Sequence, residues 1–169
     1  MTSDAHHTIL VRLTVVEDWM ILKNIRLRSL LDSPSAFATT YTTAQQYTKL
    51  EWCNRASSKN QHQYALAMYD KVPIGMIGWT KNTLLEFEII AMWVDPMFRG
   101  KGVADQLMVF MKKLAKYNGY HQAVLNVSKS NMIAKQFYLR HGFILMTETE
   151  DLPIEIDNET QKMVCTLLF

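Results

Sequence analysis

Thiols are scarce in this chain. Cys53 and Cys165 are the two cysteines in 169 residues; they lie far apart, match no metal or redox spacing, and read as ordinary reduced thiols. Net charge is scarce as well. A formal +2 is too small to argue for nucleic acid or an acidic membrane surface as a partner. The five histidines do not cluster beyond His6-His7, so no metal is expected. The opening residues, MTSDAHHT, carry an acid and no apolar run, which fits neither a signal peptide nor an anchor. No stretch approaches the length of a membrane span, and there is no repeat, low-complexity tract or linker. What is there is 49% apolar and 20% charged residues, the balance of a globular chain rather than a disordered one. The expectation is one domain over residues 1–169 with room for a full core, in the cytoplasm.

Periodicity divides the chain into short elements. Thr8 to Thr14 alternates around Ile9, Val11 and Leu13 and predicts a first strand. From Glu17 the spacing of Trp19, Met20, Leu22, Ile25, Leu27, Leu30 and Leu31 predicts a helix with one wide apolar face. Thr14 and Glu17 suit a capping box at its start, and Asp32-Ser33-Pro34-Ser35 ends it. Ala36 to Tyr47 is polar and aromatic, the segment expected to touch substrate, and a second helix is predicted over about Thr43 to Ala56. Gln63 to Met68 and Pro73 to Thr80 form a hairpin around Tyr69-Asp70-Lys71. A third strand runs from Leu84 to Val94. A helix from Gln106 to Tyr117 ends at Asn118-Gly119. Ala123 to Val127 is a strand and Met132 to Arg140 a helix stopped by His141-Gly142. Two last strands, Phe143 to Thr147 and Met163 to Phe169, flank an acidic loop from Glu148 to Thr160. Hairpins combined with one strand-helix-strand crossover indicate an α/β or α+β sandwich.

The chemistry concentrates in Ile89 to Ala104, IIAMWVDPMFRGKGVA. An apolar strand ends at Asp95-Pro96, because proline has no donor for the ladder. Arg99-Gly100-Lys101-Gly102-Val103-Ala104 then leads directly into a helix. The first turn of a helix has unpaired N–H groups and a positive dipole end, which suits a phosphate. Gly100 and Gly102 let backbone approach such a ligand without a Cβ in the way. The loop is not of the adenylate-binding kind, since no Gly-Lys-Ser or Gly-Lys-Thr follows, and G-x-G-x-x-G is absent.

With these residues in view, almost the whole chain resembles the GNAT N-acetyltransferase superfamily. Arg99 to Ala104 is similar to its signature [Arg/Gln]-x-x-Gly-x-[Gly/Ala], with Ala104 where glycine is common. Asn131 to Phe143 is similar to N-x-x-A-x-x-F/L-Y-x-x-x-G-F, and Arg26 to Tyr41 resembles the helical start of many bacterial members. The resemblance implies a mixed, mostly antiparallel sheet of about seven strands with about four helices. It implies acetyl-CoA as donor and an amine as acceptor, joined directly in a ternary complex. A homodimer is an assembly it allows. Neither cysteine falls on a motif position, so no thiol nucleophile is advertised.

Residue by residue, the resemblance implies a pyrophosphate cradle at Arg99, Gly100, Lys101, Gly102, Val103 and Ala104. Met92, Trp93 and Val94 belong to the strand that would hold the pantetheine, with backbone groups of Met92 and Val94 offered like an added strand. A Met92 N–H would polarise the thioester carbonyl. Asn131 either caps the next helix, touches CoA, or does both. Tyr138 would donate its phenolic proton to the departing thiolate, with Phe137 facing the core. Glu88 is the candidate base, and Glu86, on the same face of a regular strand, is its rival. A CoA-binding sensor that has lost turnover is the alternative function, and transfer of a longer acyl group is a third.

Overall fold

The apolar runs close into one twisted sheet. A computed structural model describes residues 8–57, 61–146 and 159–168, and within them seven strands lie in the order β1-β2-β3-β4-β5-β7-β6. They are β1 (Leu10–Leu13), β2 (His62–Tyr69), β3 (Val72–Lys81), β4 (Phe87–Val94), β5 (Gln122–Ser128), β6 (Ile144–Leu145) and β7 (Thr160–Thr166). Five α-helices accompany them: α1 (Trp19–Asp32), α2 (Tyr41–Gln45), α3 (Lys49–Ala56), α4 (Val103–Tyr117) and α5 (Met132–Arg140). Every neighbouring strand pair is antiparallel except β4 with β5. That exception follows from the connection, because a crossover helix, α4, returns the chain in its original direction. The mixed, mostly antiparallel α/β architecture is the one anticipated. No helix among the described residues is long and apolar enough to cross a membrane.

Several boundaries differ from expectation for local reasons. Thr14 does not cap α1. Its buried hydroxyl donates to Ala56 O at 2.8 Å, and the chain enters α1 through a 3-10 turn, Val16–Asp18. There the Asp18 carboxylate accepts from Val15 N–H at 2.9 Å. The single helix expected up to Ala56 is two, because Thr48 and Glu51 form their own capping box and restart the chain. The strand expected from Leu84 begins at Phe87. Before it, Asn82 Oδ1 accepts from the N–H groups of Leu84 and Glu86 at 3.0 and 2.9 Å, and Leu85 takes a φ of 62°. The final strands are shifted, to Ile144–Leu145 and Thr160–Thr166. Most of the acidic loop, and Thr147, lie outside the described residues.

Two cores sandwich the sheet, one under α4 and α5 and one under α1, α2 and α3. Strand β4 serves both, and its alternation changes partway. Phe87 and Ile89 belong to the α4 side; after one extra residue, Met92 and Val94 pack there while Ala91 and Trp93 face α1. The extra residue is a β-bulge: β3 skips between Met76 and Gly78 opposite β4, and Ala91 has a φ of 55°. Without it, a period of two would send Trp93 to the wrong core. Glycine matters at Gly75, where an added Cβ would lie 3.1 Å from Leu107 and 3.2 Å from Val103, so α4 seats directly on β3.

Near the start of α1, Arg12 and Asp18 form a paired contact of 2.6 and 2.9 Å, with Asp18 buried. The Arg12 hydrogen bond holds the Asp18 carboxyl below its ordinary value of 3.8, against the opposing push of burial. A lowered carboxyl stabilises the fold above its unfolded pKa, and that stabilisation is lost as pH falls through the folded value. Asp18→Asn should therefore lower unfolding free energy by about 1–3 kcal/mol at pH 7. Denaturant melts over pH should show this deficit shrinking below about pH 3.8, the unfolded carboxyl value.

Candidate active site

Strands β4 and β5 pair at Phe87–Ala123 and Glu88–Val124 and not beyond, although β4 continues to Val94 and β5 to Ser128. From Glu88 onward they diverge, and a cleft of about 580 Å³ opens between them. Residues 88–92 form one wall and residues 125–128 the other, with Asn131, Ala134 and Tyr138 closing the α5 side. The bulge at Ala91 sits in this wall. Asp95 N–H donates to Ile74 O across β3, so strand alternation turns the backbone groups of Val94 and Met92 toward the open side. Met92 and Val94, expected to offer their backbone like an added strand, lie in the stretch of β4 that β5 leaves unpaired.

Glu88 lies at the point of divergence. Its Oε1 accepts from Asn126 Nδ2 at 2.9 Å, and it faces the α1–α3 side, opposite Phe87 and Ile89. Glu86, its rival, is in the turn before β4 rather than on the strand, and does not line the cleft. Lys162 Nζ donates to both its oxygens at 2.8 and 2.7 Å, and Asn82 Nδ2 to one at 2.9 Å. Burial pushes the Glu86 carboxyl up, but the Lys162 and Asn82 hydrogen bonds outweigh it and the pKa is lowered.

Tyr138 and Phe137 both pack against the α4-side core, so the expected division of core for one and cofactor for the other is incomplete. Tyr138 nonetheless lines the cleft, and its hydroxyl points at Met92 Sδ, 3.9 Å away. Burial pushes its phenol up to about 12. Asn131 caps α5, its Oδ1 accepting from Ala134 N–H at 3.1 Å. The cap uses the oxygen and leaves the amide nitrogen's donors for other use.

The glycine turn is bare. Gly100 and Gly102 have φ of 73° and 76°, conformations that favour glycine, and an added Cβ on either would meet nothing within 4 Å. Gly102 caps α4, with Gln106 N–H donating to its carbonyl at 3.1 Å. Val103 is buried and anchors α4 in the core, with Ala104 half-buried beside it. Lys101 lies over the Phe98 ring at 5.3 Å.

Two residues of the expected cofactor strand and loop hold the protein together instead. Arg99 Nε donates to Val94 O at 3.0 Å, and its guanidinium pairs with Asp32. Trp93 is buried on the α1 side, away from the cleft, and its indole N–H donates to the same Asp32 at 2.8 Å. Burial pushes the Asp32 carboxyl up, but hydrogen bonds from Trp93, Ser33 and Arg99 outweigh that and lower its pKa. Arg28 pairs with Asp95 in a second tie between α1 and the end of β4.

The opposite half of the cleft comes from α1, residues 35–39, α2, α3 and β2. The polar, aromatic segment expected to meet substrate contributes Phe37 and Tyr47. Arg26, Trp52, Arg55, His62, Tyr64 and Asn126 were not foreseen. Arg26 had a signal available: it is an arginine on the apolar stripe of α1, four residues after the buried Leu22. His62, Thr80 and Glu88 are successive cross-strand partners, which no single-strand pattern displays.

Comparison with known proteins agrees with this geometry. No curated protein matches the chain. Among solved structures, the PaiA N-acetyltransferase of Thermoplasma acidophilum, in complex with coenzyme A, is 20% identical with a TM-score of 0.73, over 94% of this chain and 99% of that one. A GNAT-family acetyltransferase of Streptococcus pneumoniae is 17% identical with a TM-score of 0.76, over 95% and 99%. YncA of Salmonella typhimurium, solved with acetyl-CoA, is 13% identical with a TM-score of 0.74, over 96% and 95%. Those likenesses speak to the fold. The model of the acetyltransferase (GNAT) family matches residues 25–143, which hold the bulged strand, the glycine turn and the capped α5, and the chain belongs to that family.

Proposed function

We propose that this protein transfers the acetyl group of acetyl-CoA to a primary amine of a small molecule or peptide, by direct attack within a ternary complex. The observation that carries the reading is one cleft, opened where β4 leaves β5, that runs from Glu88 past the Ala91 bulge to Tyr138. The bare Gly100–Gly102 turn before α4 fits a pyrophosphate. Acetyl-CoA supplies an activated acyl group on a good leaving thiol.

The chain's own residues do the rest. The N–H groups of Met92 and Val94 are free to hold an extended pantetheine like an added strand; the Val94 carbonyl is occupied by Arg99. The Met92 N–H polarises the acetyl carbonyl. With Arg99 committed to Asp32, Lys101 is the cation of the turn. Asn131 offers its amide nitrogen while its oxygen caps α5. An alkylamine of pKa about 10.4 costs roughly 4 to 5 kcal/mol to deprotonate at pH 7, and Glu88, held by Asn126, is the group in the cleft to accept that proton. Tyr138, pushed up to about 12, keeps its proton at every working pH. Handing it completely to a thiolate of ordinary pKa near 8.5 is uphill by roughly 5 kcal/mol. Its role is therefore a hydrogen bond to the departing sulfur more than full proton transfer.

The direct test mixes the protein, acetyl-CoA and an amine panel while following free thiol. Amine-dependent thiol release supports the reading; thermal stabilisation by CoA without release from any amine assigns the chain to a silent CoA-binding module. Gly102→Val should weaken CoA binding at least tenfold by calorimetry, since a β-branched residue opposes positive φ at the turn; an unchanged dissociation constant in a folded variant removes the cradle. Tyr138→Phe should lower turnover roughly ten- to a hundredfold at saturating acetyl-CoA with affinity for it intact, the loss of one hydrogen bond to a developing charge. Glu88→Gln should lower kcat/KM most at neutral pH and least near pH 10, where the amine is already partly neutral. A deficit that is flat over pH, or one that appears with Glu86→Gln instead, reassigns the base.

A further inference from the structure

The wall of the cleft that faces away from β5 carries two guanidiniums. Arg26 on α1 lies over the Phe37 ring at 4.4 Å, and Arg55 on α3 over the Tyr47 ring at 4.3 Å. All four residues line the cleft, and both arginines are half-buried. Of the other four described arginines, three pair with carboxylates, Arg12 with Asp18, Arg28 with Asp95 and Arg99 with Asp32, and the fourth, Arg140, is exposed over the Phe137 ring. Among the described residues, Arg26 and Arg55 have no carboxylate at ion-pair distance. Glu51, one turn before Arg55, is held in the Thr48 cap, accepting from Thr48 N–H at 2.6 Å. Arg26 reaches only to Ser29 Oγ, at 3.5 Å.

The two cations also act on each other. Burial lowers the pKa of Arg26; Tyr64 and Tyr47 oppose that shift, and the charge of Arg55 adds to it. Stacking on aromatic rings holds both guanidiniums in place without neutralising them. Trp52, 1% exposed, packs into the same wall. His62 lines the cleft as well; burial lowers its pKa, the charge of Arg55 adds to that shift and Glu88 opposes it.

We propose that the acceptor carries an oxyanion, a carboxylate or a phosphate, beside its reacting amine. Arg26 and Arg55 hold that group while the amine faces Glu88. The inference rests on the acetyl-transfer reading above. An oxyanion accepts several charge-assisted hydrogen bonds from arginine forks and relieves the repulsion between the two guanidiniums. A polyamine or other cation without an anionic group meets the same two charges as repulsion. Glu159, the other carboxylate of the lining, immediately precedes β7, and its carbonyl accepts from Lys129 N–H at 2.8 Å on the β5 side of the cleft.

The experiment measures kcat/KM on matched acceptors with saturating acetyl-CoA: each amino acid against its own amide, phosphoethanolamine against ethanolamine, and putrescine. Wild type should prefer the oxyanion-bearing member of at least one pair by roughly ten- to a hundredfold, and which pair responds separates carboxylate from phosphate. Arg26→Gln and Arg55→Gln should each pull that ratio toward one. Should one variant fold poorly, the other and the wild-type ratio decide. Amides, ethanolamine or putrescine used as well as or better than the oxyanion-bearing acceptors overturn this inference and leave acetyl transfer standing. A preference that survives both substitutions also overturns it. Absence of thiol release with every amine overturns the acetyl-transfer reading and this one with it.

Discussion

The separation of β4 from β5 after two paired residues governs most of what this chain can do. Parallel neighbours would normally satisfy each other's backbone groups along their length. Here β5 is held along its other edge by β7, which pairs with it from Gln122 to Ser128, while its pairing with β4 stops at Val124. The released edge of β4 faces a cleft in the middle of the sheet instead of a neighbour. An open edge of this kind invites aggregation when it lies on the outside of a sheet. Inside a cleft walled by helices it is usable only by a slender ligand. The bulge at Ala91 adds to this by re-aiming the strand just where it leaves its partner, and it serves packing as well, since it delivers Trp93 to one core and Val94 to the other.

Charge is distributed in the same two-sided way. Around the glycine turn the arginines are neutralised locally and act as ties: Arg99 and Arg28 bind acidic groups of α1 and of the β4 end. Backbone donors and Lys101 are what remains for a ligand there. On the helical wall the opposite holds, and guanidiniums are left facing aromatic rings. The cost of two half-buried like charges is one that folding alone does not reward, which is why those residues point to function more than to stability.

Much of this was legible in the sequence, for definite reasons. Strand alternation, helical stripes and the Gly100–Gly102 turn are local patterns, and each appeared near its expected place. That Met92 and Val94 would offer open backbone was anticipated through family resemblance, not through periodicity. What local pattern missed was competition. Thr14 suited a cap until Ala56, 42 residues later in sequence, claimed its hydroxyl. Glu86 and Glu88 were equivalent by spacing; the Asn82 turn, which delays β4 to Phe87, and Lys162, from the far end of the chain, separate them. Arg99 read as a phosphate ligand because Asp32 is distant in sequence and near in space. Trp93 was counted with the cofactor strand because a bulge cannot be read from an apolar run. The cationic wall was hidden for the same reason, being assembled from α1, α2, α3 and β2.

Asp32 shows what such long-range contacts add up to. An acid at the last position of a helix opposes the helix dipole, so α1 would be better ended by a neutral or basic residue. This carboxylate is kept there by Trp93 and Arg99, one from the bulged strand and one from the turn before α4. Immediately after it, Ser33 leads into residues 35–39, which form part of the opposite wall. One side chain therefore ties the bulged strand, the glycine turn and the entrance of the facing loop to a common point. The two halves of the cleft are joined like the leaves of a book on a single stitch, at a residue that does not itself line the cleft.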